Sequence, residues 1–98
     1  MLTDYDLEQV FLTPKGTTVE VQLVLVSVVG SPFREKFPIV AADLKFAARM
    51  LGLRLAERPD VASVDRARVR VRRGGSLEDA SSGLRATLQE AFRRGRRG

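Results

Sequence analysis

Residues 17–29 open with a clean alternation. Val19, Val21 and Leu23 fall on one face, and Thr18, Glu20 and Gln22 on the other. That is the period of a half-buried strand. From Leu23 to Val29 only Ser27 is polar, so the second half of this strand needs cover on both faces. Its valine-rich makeup argues against a helix. Upstream, residues 5–12 read two ways. Leu7, Val10 and Phe11 fit a short helix, whereas alternation sets Glu8, Val10 and Leu12 against Leu7, Gln9 and Phe11. Thr13-Pro14-Lys15-Gly16 has the residues of a tight turn. The segment is therefore expected to be a strand paired with the next one as a hairpin.

Gly30-Ser31-Pro32 ends the second strand. Residues 33–37 read as a charged connector, and Pro38 suits the first turn of a helix. That helix is expected from about 39 to 57. Leu44, Ala47, Ala48, Leu51 and Leu55 form one stripe, with Phe46, Met50 and Leu53 nearly opposite. Two apolar faces mean a wide core contact or a subunit interface, so Phe46, Met50 and Leu53 are the candidate interface residues. Gly52 lowers helix stability by about 1 kcal/mol relative to Ala, and the helix has a second possible end there. A loop at 58–60 precedes a third strand over 64–72. Ser76 with Asp79 resembles a capping box. It predicts a last helix carrying Leu77, Ala80, Leu84, Leu88 and Phe92. Gly95 is its natural stop, leaving 96–98 as a basic tail on a single domain of residues 1–95.

The expected order is β-β-α-β-α, with the third strand parallel to the second. This is an α+β two-layer sandwich: a small, mostly antiparallel sheet with two helices packed on one face.

Composition narrows the chemistry more than the fold. The 98 residues suffice for one modest core. There is no Cys and no His. That excludes disulfides, thiolate nucleophiles, Cys-ligated metal and His-based triads. No carboxylate pair or nucleophile is arranged recognisably, so an enzyme is not expected, nor a metal or other cofactor. Asp4, Asp6 and Glu8 alternate, but without the spacing of a calcium loop. Gly74-Gly75-Ser76 at a helix start is a weak phosphate candidate. No apolar run approaches the ~18 residues of a membrane span, and residues 1–6 lack a basic region leading an apolar stretch. The expected location is cytoplasmic.

Charge supplies the one informative pattern. Net charge is +5, and Arg outnumbers Lys by 14 to 3. Residues 1–64 hold seven basic and eight acidic side chains, while residues 65–98 hold ten Arg and four acids. In a strand, Arg66, Arg68, Arg70 and Arg72 share one face, and Ala67, Val69 and Val71 the other. Guanidinium forks fit phosphate oxygens, and such a row can follow a nucleic-acid backbone. Arg73, Arg93 and Arg94 are secondary candidates. Competing explanations are a solvated face, cross-strand pairing with Glu8 or Glu20, and protection of a sheet edge. The few aromatics fall mostly at core-like positions, which argues against a base-stacking platform. The expectation is a small non-enzymatic module that contacts nucleic-acid backbones without sequence readout. The alternative is a self-assembling structural or adaptor protein, a homo-oligomer whose arginine face meets an acidic protein partner or a neighbouring subunit.

Overall fold

A computed structural model of the chain describes residues 4–79 and 81–97. It is an α+β structure with a six-stranded mixed sheet and two helices. The elements are β1 (Tyr5–Lys15), β2 (Thr18–Ser27), β3 (Pro32–Val40), α1 (Leu44–Ala56), β4 (Val61–Ser63), β5 (Arg68–Arg73), β6 (Ser76–Asp79) and α2 (Ala86–Arg97). A π-helical turn, Ser81–Arg85, leads into α2. The sheet runs β3-β2-β1-β5-β6, with β4 alongside the start of β1.

The β1–β2 hairpin forms as the alternation predicted, turning at Gly16 with φ +64°. The rest of the order β-β-α-β-α is corrected: the sheet is larger than expected and contains three further strands. The connector over 33–37 belongs to β3, and Pro38 lies within it rather than opening a helix. Among the described residues, β3 pairs only with β2. One side of an edge strand has no ladder, so a proline is tolerated there. Helix α1 starts later, at Leu44, where the Asp43 carboxylate accepts the Phe46 amide at 2.7 Å.

The third strand also differs. Of its expected span, 64–72, only the part from Arg68 is strand, as β5; residues 65–66 form a turn, and the short β4 precedes the span. Both strands run parallel to β1, not to β2. β2 has no free edge, because β3 occupies its other side. Ser76 caps no helix: it and Leu77 lie in β6, and Ala80 lies outside the described residues. Gly74-Gly75 instead closes a two-residue hairpin between β5 and β6, with Gly74 at φ +57°.

The core lies between one sheet face and the helices. Leu7, Val10 and Leu12 of β1 meet Val21, Leu23 and Leu25 of β2, and Val69 of β5. Ala47, Ala48, Leu51 and Leu55 of α1 and Leu88 and Phe92 of α2 join the same cluster. Gly52 does not end α1. A Cβ built there would sit 2.4 Å from the Leu88 carbonyl oxygen and 2.8 Å from the Ala91 Cβ. The residue is glycine because the α2 backbone crosses at that point. Gly95 likewise lies inside α2, against Ala56.

The expected tail residues Arg96 and Arg97 belong to α2; Gly98 lies outside the described residues. The Arg96 guanidinium donates to the carbonyls of Ala56 and Arg58 at 3.0 Å each, and also to that of Val61. It thereby caps the end of α1. Arg58 in turn bridges Asp60, at 2.9 and 3.1 Å, and Glu35 of β3.

Candidate functional site

The sheet face away from the helices is open. Its composition follows from alternation and register. In β5, Arg68, Arg70 and Arg72 alternate with the buried Val69 and Val71, so the three guanidiniums stand on the open face. β5 is not an edge, because β6 pairs with its far side. Edge protection therefore does not explain Arg70 or Arg72, which lie within the β6 pairing, whereas Arg68 precedes it. Neutralisation by Glu20 does not explain them either. Glu20 is held by Lys15 at 3.1 Å and Lys36 at 3.2 Å. Those bonds keep its carboxyl below the usual glutamate range. Among the described residues, Arg68, Arg70 and Arg72 make no ion pair.

A second cation row comes from β3. Lys36, Gln22, Phe11 and Arg70 are successive register partners across β3, β2, β1 and β5. Arg34, Val24, Gln9 and Arg68 form the neighbouring row. From β3 to β5 each row begins and ends with a cation and is uncharged between; beyond it, on β6, Asp79 stands opposite Arg70. The two cationic strands are three spacings apart, about 14 Å at ~4.8 Å per spacing.

The uncharged strip owes its content to an irregularity in β1. Strict alternation would put Phe11 on the same face as Leu7. The β1–β2 register shifts between Leu7 and Gln9. This bulge resets the phase, so Leu7, Val10 and Leu12 all point into the core while Gln9 and Phe11 face outward. A shallow concavity of about 520 Å³ lies on this face. Val24 and Val26 supply its apolar lining, Gln9 and Gln22 its amides, with Phe11 beside them. Arg34 and Arg72 border it, and Glu8 is its one carboxylate. The Arg72 guanidinium approaches the Phe11 ring to 5.7 Å from its centroid.

The remaining expected site residues do not join this face. Arg66 is exposed but sits in the turn before β5, off the strand. The row is therefore three arginines spanning about 13 Å at ~3.3 Å per residue, not four. Arg73 pairs with Glu78 at 3.4 Å. Arg93 pairs with Asp65 at 3.9 Å and Arg94 with Glu90 at 2.8 Å. Both lie on α2, which covers the other side of the sheet, so the two basic clusters are not brought together. Phe46, Met50 and Leu53 are exposed on α1, at 44%, 38% and 36%. A groove of about 490 Å³ between the helices passes Leu53, Lys45 and Arg49.

Two features escaped the sequence pattern. Arg34 and Lys36 fall in the expected connector but belong to β3, and Phe33, Phe37 and Ile39 already show the period of a strand. The adjacent polar residues Glu8 and Gln9 between Leu7 and Val10 marked the bulge. Among the described residues, no group of His, Cys, Asp and Glu side chains suitable for a metal ion is present, and no helix is long and apolar enough to cross a membrane. No protein-family model, curated protein or solved structure matches the chain.

Proposed function

We propose that this protein is a non-enzymatic module that binds nucleic acid through its phosphate backbone. Arg68, Arg70 and Arg72 make the principal contacts, and Arg34 of β3 adds a further cation beside Lys36, which is shared with Glu20. The observation that carries the reading is the row of three guanidiniums on an open sheet face, none with an ion-pair partner among the described residues. Neighbours in the row are about 6.6 Å apart at ~3.3 Å per residue. Each neighbouring pair repels by about 0.6 kcal/mol even at the dielectric of water, and bound phosphates relieve that repulsion.

The test is fluorescence anisotropy with random-sequence oligonucleotides from low to physiological salt. Three phosphate contacts give a log–log slope near −2 on single strands and about −2.7 on duplex. The double substitution Arg68→Ala/Arg70→Ala weakens binding on all sequences and lowers the slope by about two contacts. Arg93→Ala/Arg94→Ala removes the same charge from the opposite side of the molecule and leaves binding unchanged. Equal effects of the two double variants would show that net charge, not the row, is responsible.

The exposed Phe46, Met50 and Leu53 favour a second reading, self-association through α1. Sedimentation over a range of concentrations tests it. Self-association that Met50→Glu abolishes supports this reading, and a strict monomer removes it.

A further inference from the structure

We infer that the concavity around Phe11 seats an unpaired base, so that the preferred ligand is single-stranded nucleic acid. This rests on the phosphate-binding reading above and specifies its ligand. Among the described residues, Phe11 is the one aromatic that register and alternation place on the open face. Tyr5, Phe33 and Phe37 fall on the core side, opposite or beside inward residues of β2. Phe11 stands mid-sheet, next to the Val24 and Val26 lining.

The strip suits a base better than a duplex. A duplex offers a protein its phosphates and groove edges, while the faces of its bases are stacked away. It would leave the Phe11 ring and the valines with nothing apolar to cover them. A free base brings a planar π-face to the ring and the valines. The amides of Gln9 and Gln22 make no side-chain hydrogen bond among the described residues. Each offers a donor and an acceptor at the height of a base edge. Arg34 and Arg72 border the concavity where backbone phosphates on either side of that base would lie. Its volume, about 520 Å³, falls in the roughly 300–1,000 Å³ range of small-ligand sites. Bulges commonly re-aim a side chain next to a binding site, and the shift after Leu7 does this for Phe11.

The experiment compares a labelled 12-nucleotide single strand, as DNA and as RNA, with a 12-base-pair duplex over the same series of salt concentrations, up to physiological. Wild type, Phe11→Leu, Phe11→Tyr and Arg68→Ala/Arg70→Ala are titrated, with thermal unfolding of each variant as the folding control. Wild type is expected to bind single strands more tightly than duplex. Phe11→Leu should weaken single-strand binding by about fivefold to about 150-fold, the range for loss of one stacked base. It should leave duplex binding and the salt slope unchanged, and Phe11→Tyr should restore single-strand affinity. A preference for duplex overturns the inference, as does Phe11→Leu binding both forms like wild type. If the double arginine variant is then still impaired, the phosphate reading survives alone. Absence of binding to either form at physiological salt overturns both.

Discussion

Arg72 and Phe11 stand on adjacent parallel strands, with the guanidinium 5.7 Å from the centre of the ring. The register sets Phe11 opposite Arg70, so Arg72 reaches the ring diagonally. The contact joins the cationic row to the aromatic strip. Arg72→Ala is expected to weaken binding and to reduce the salt slope by about one contact. The side chain is exposed, so stability should change by no more than about 0.5 kcal/mol. An oligonucleotide titration and a urea melt of the same variant check both statements.

The helix crossing at Gly52 gives a prediction against propensity. Alanine there gains about 1 kcal/mol of helix preference. Its Cβ would meet the backbone oxygen of Leu88 at 2.4 Å, and a carbonyl cannot rotate away as a side chain can. Overpacking of this kind costs about 1–3 kcal/mol. Gly52→Ala should lower Tm by several degrees, and Gly52→Val should lower it further. A rise in Tm for the alanine variant would refute the close crossing.

Arg96 is expected to be the structural member of the basic C-terminal run. Its three carbonyl acceptors lie on Ala56, Arg58 and Val61. A hydrogen bond to a charged group contributes about 1.5–3 kcal/mol. Arg96→Ala should destabilise the fold by about that much, while the neighbouring Arg97→Ala should be close to neutral. Chemical denaturation of the two variants separates a docked side chain from a solvated tail.

Acid should expose the Arg58 cluster. The Asp60 carboxyl is held below its ordinary range, chiefly by its hydrogen bonds to Arg58. The unfolded chain then takes up that proton at higher pH than the folded one. The stabilisation is full above the ordinary aspartate value of about 3.9, and it is lost as pH falls through the lower folded value. The stability gap between wild type and Asp60→Asn should therefore shrink between neutral pH and pH 3. Urea melts across that range check it; a constant gap would exclude Asp60 as a source of acid sensitivity.

Local chemistry was legible where it depended on neighbours in sequence. The alternation of Val19, Val21 and Leu23 predicted β2, and the Leu44, Ala48, Leu51 and Leu55 spacing predicted the core face of α1. The outward placement of Arg68, Arg70 and Arg72 followed from the same periodicity. Errors arose where a residue type has two uses. Pro38 suits a helix start or an edge strand, and only its pairing with β2 alone decides which. Gly-Gly before Ser76 suits a helix approach or a hairpin, and the available edge of β5 decided it.

The sequence by itself determined which side chains can be buried, because period 2 and period 3.6 are properties of the local backbone. It also determined that the charge chemistry is cationic and guanidinium-rich, and that thiol and imidazole chemistry is absent. Tertiary structure decided which cations share a surface. Strand order is a long-range matter: it brought Arg34 and Lys36 onto the face of Arg70 and put Arg93 and Arg94 behind the sheet. It also decided the placement of Phe11 on the open face. A one-residue shift in pairing turns every later side chain of a strand to the other face; the adjacent Glu8 and Gln9 allow that shift, and the pairing of β1 with β2 fixes it.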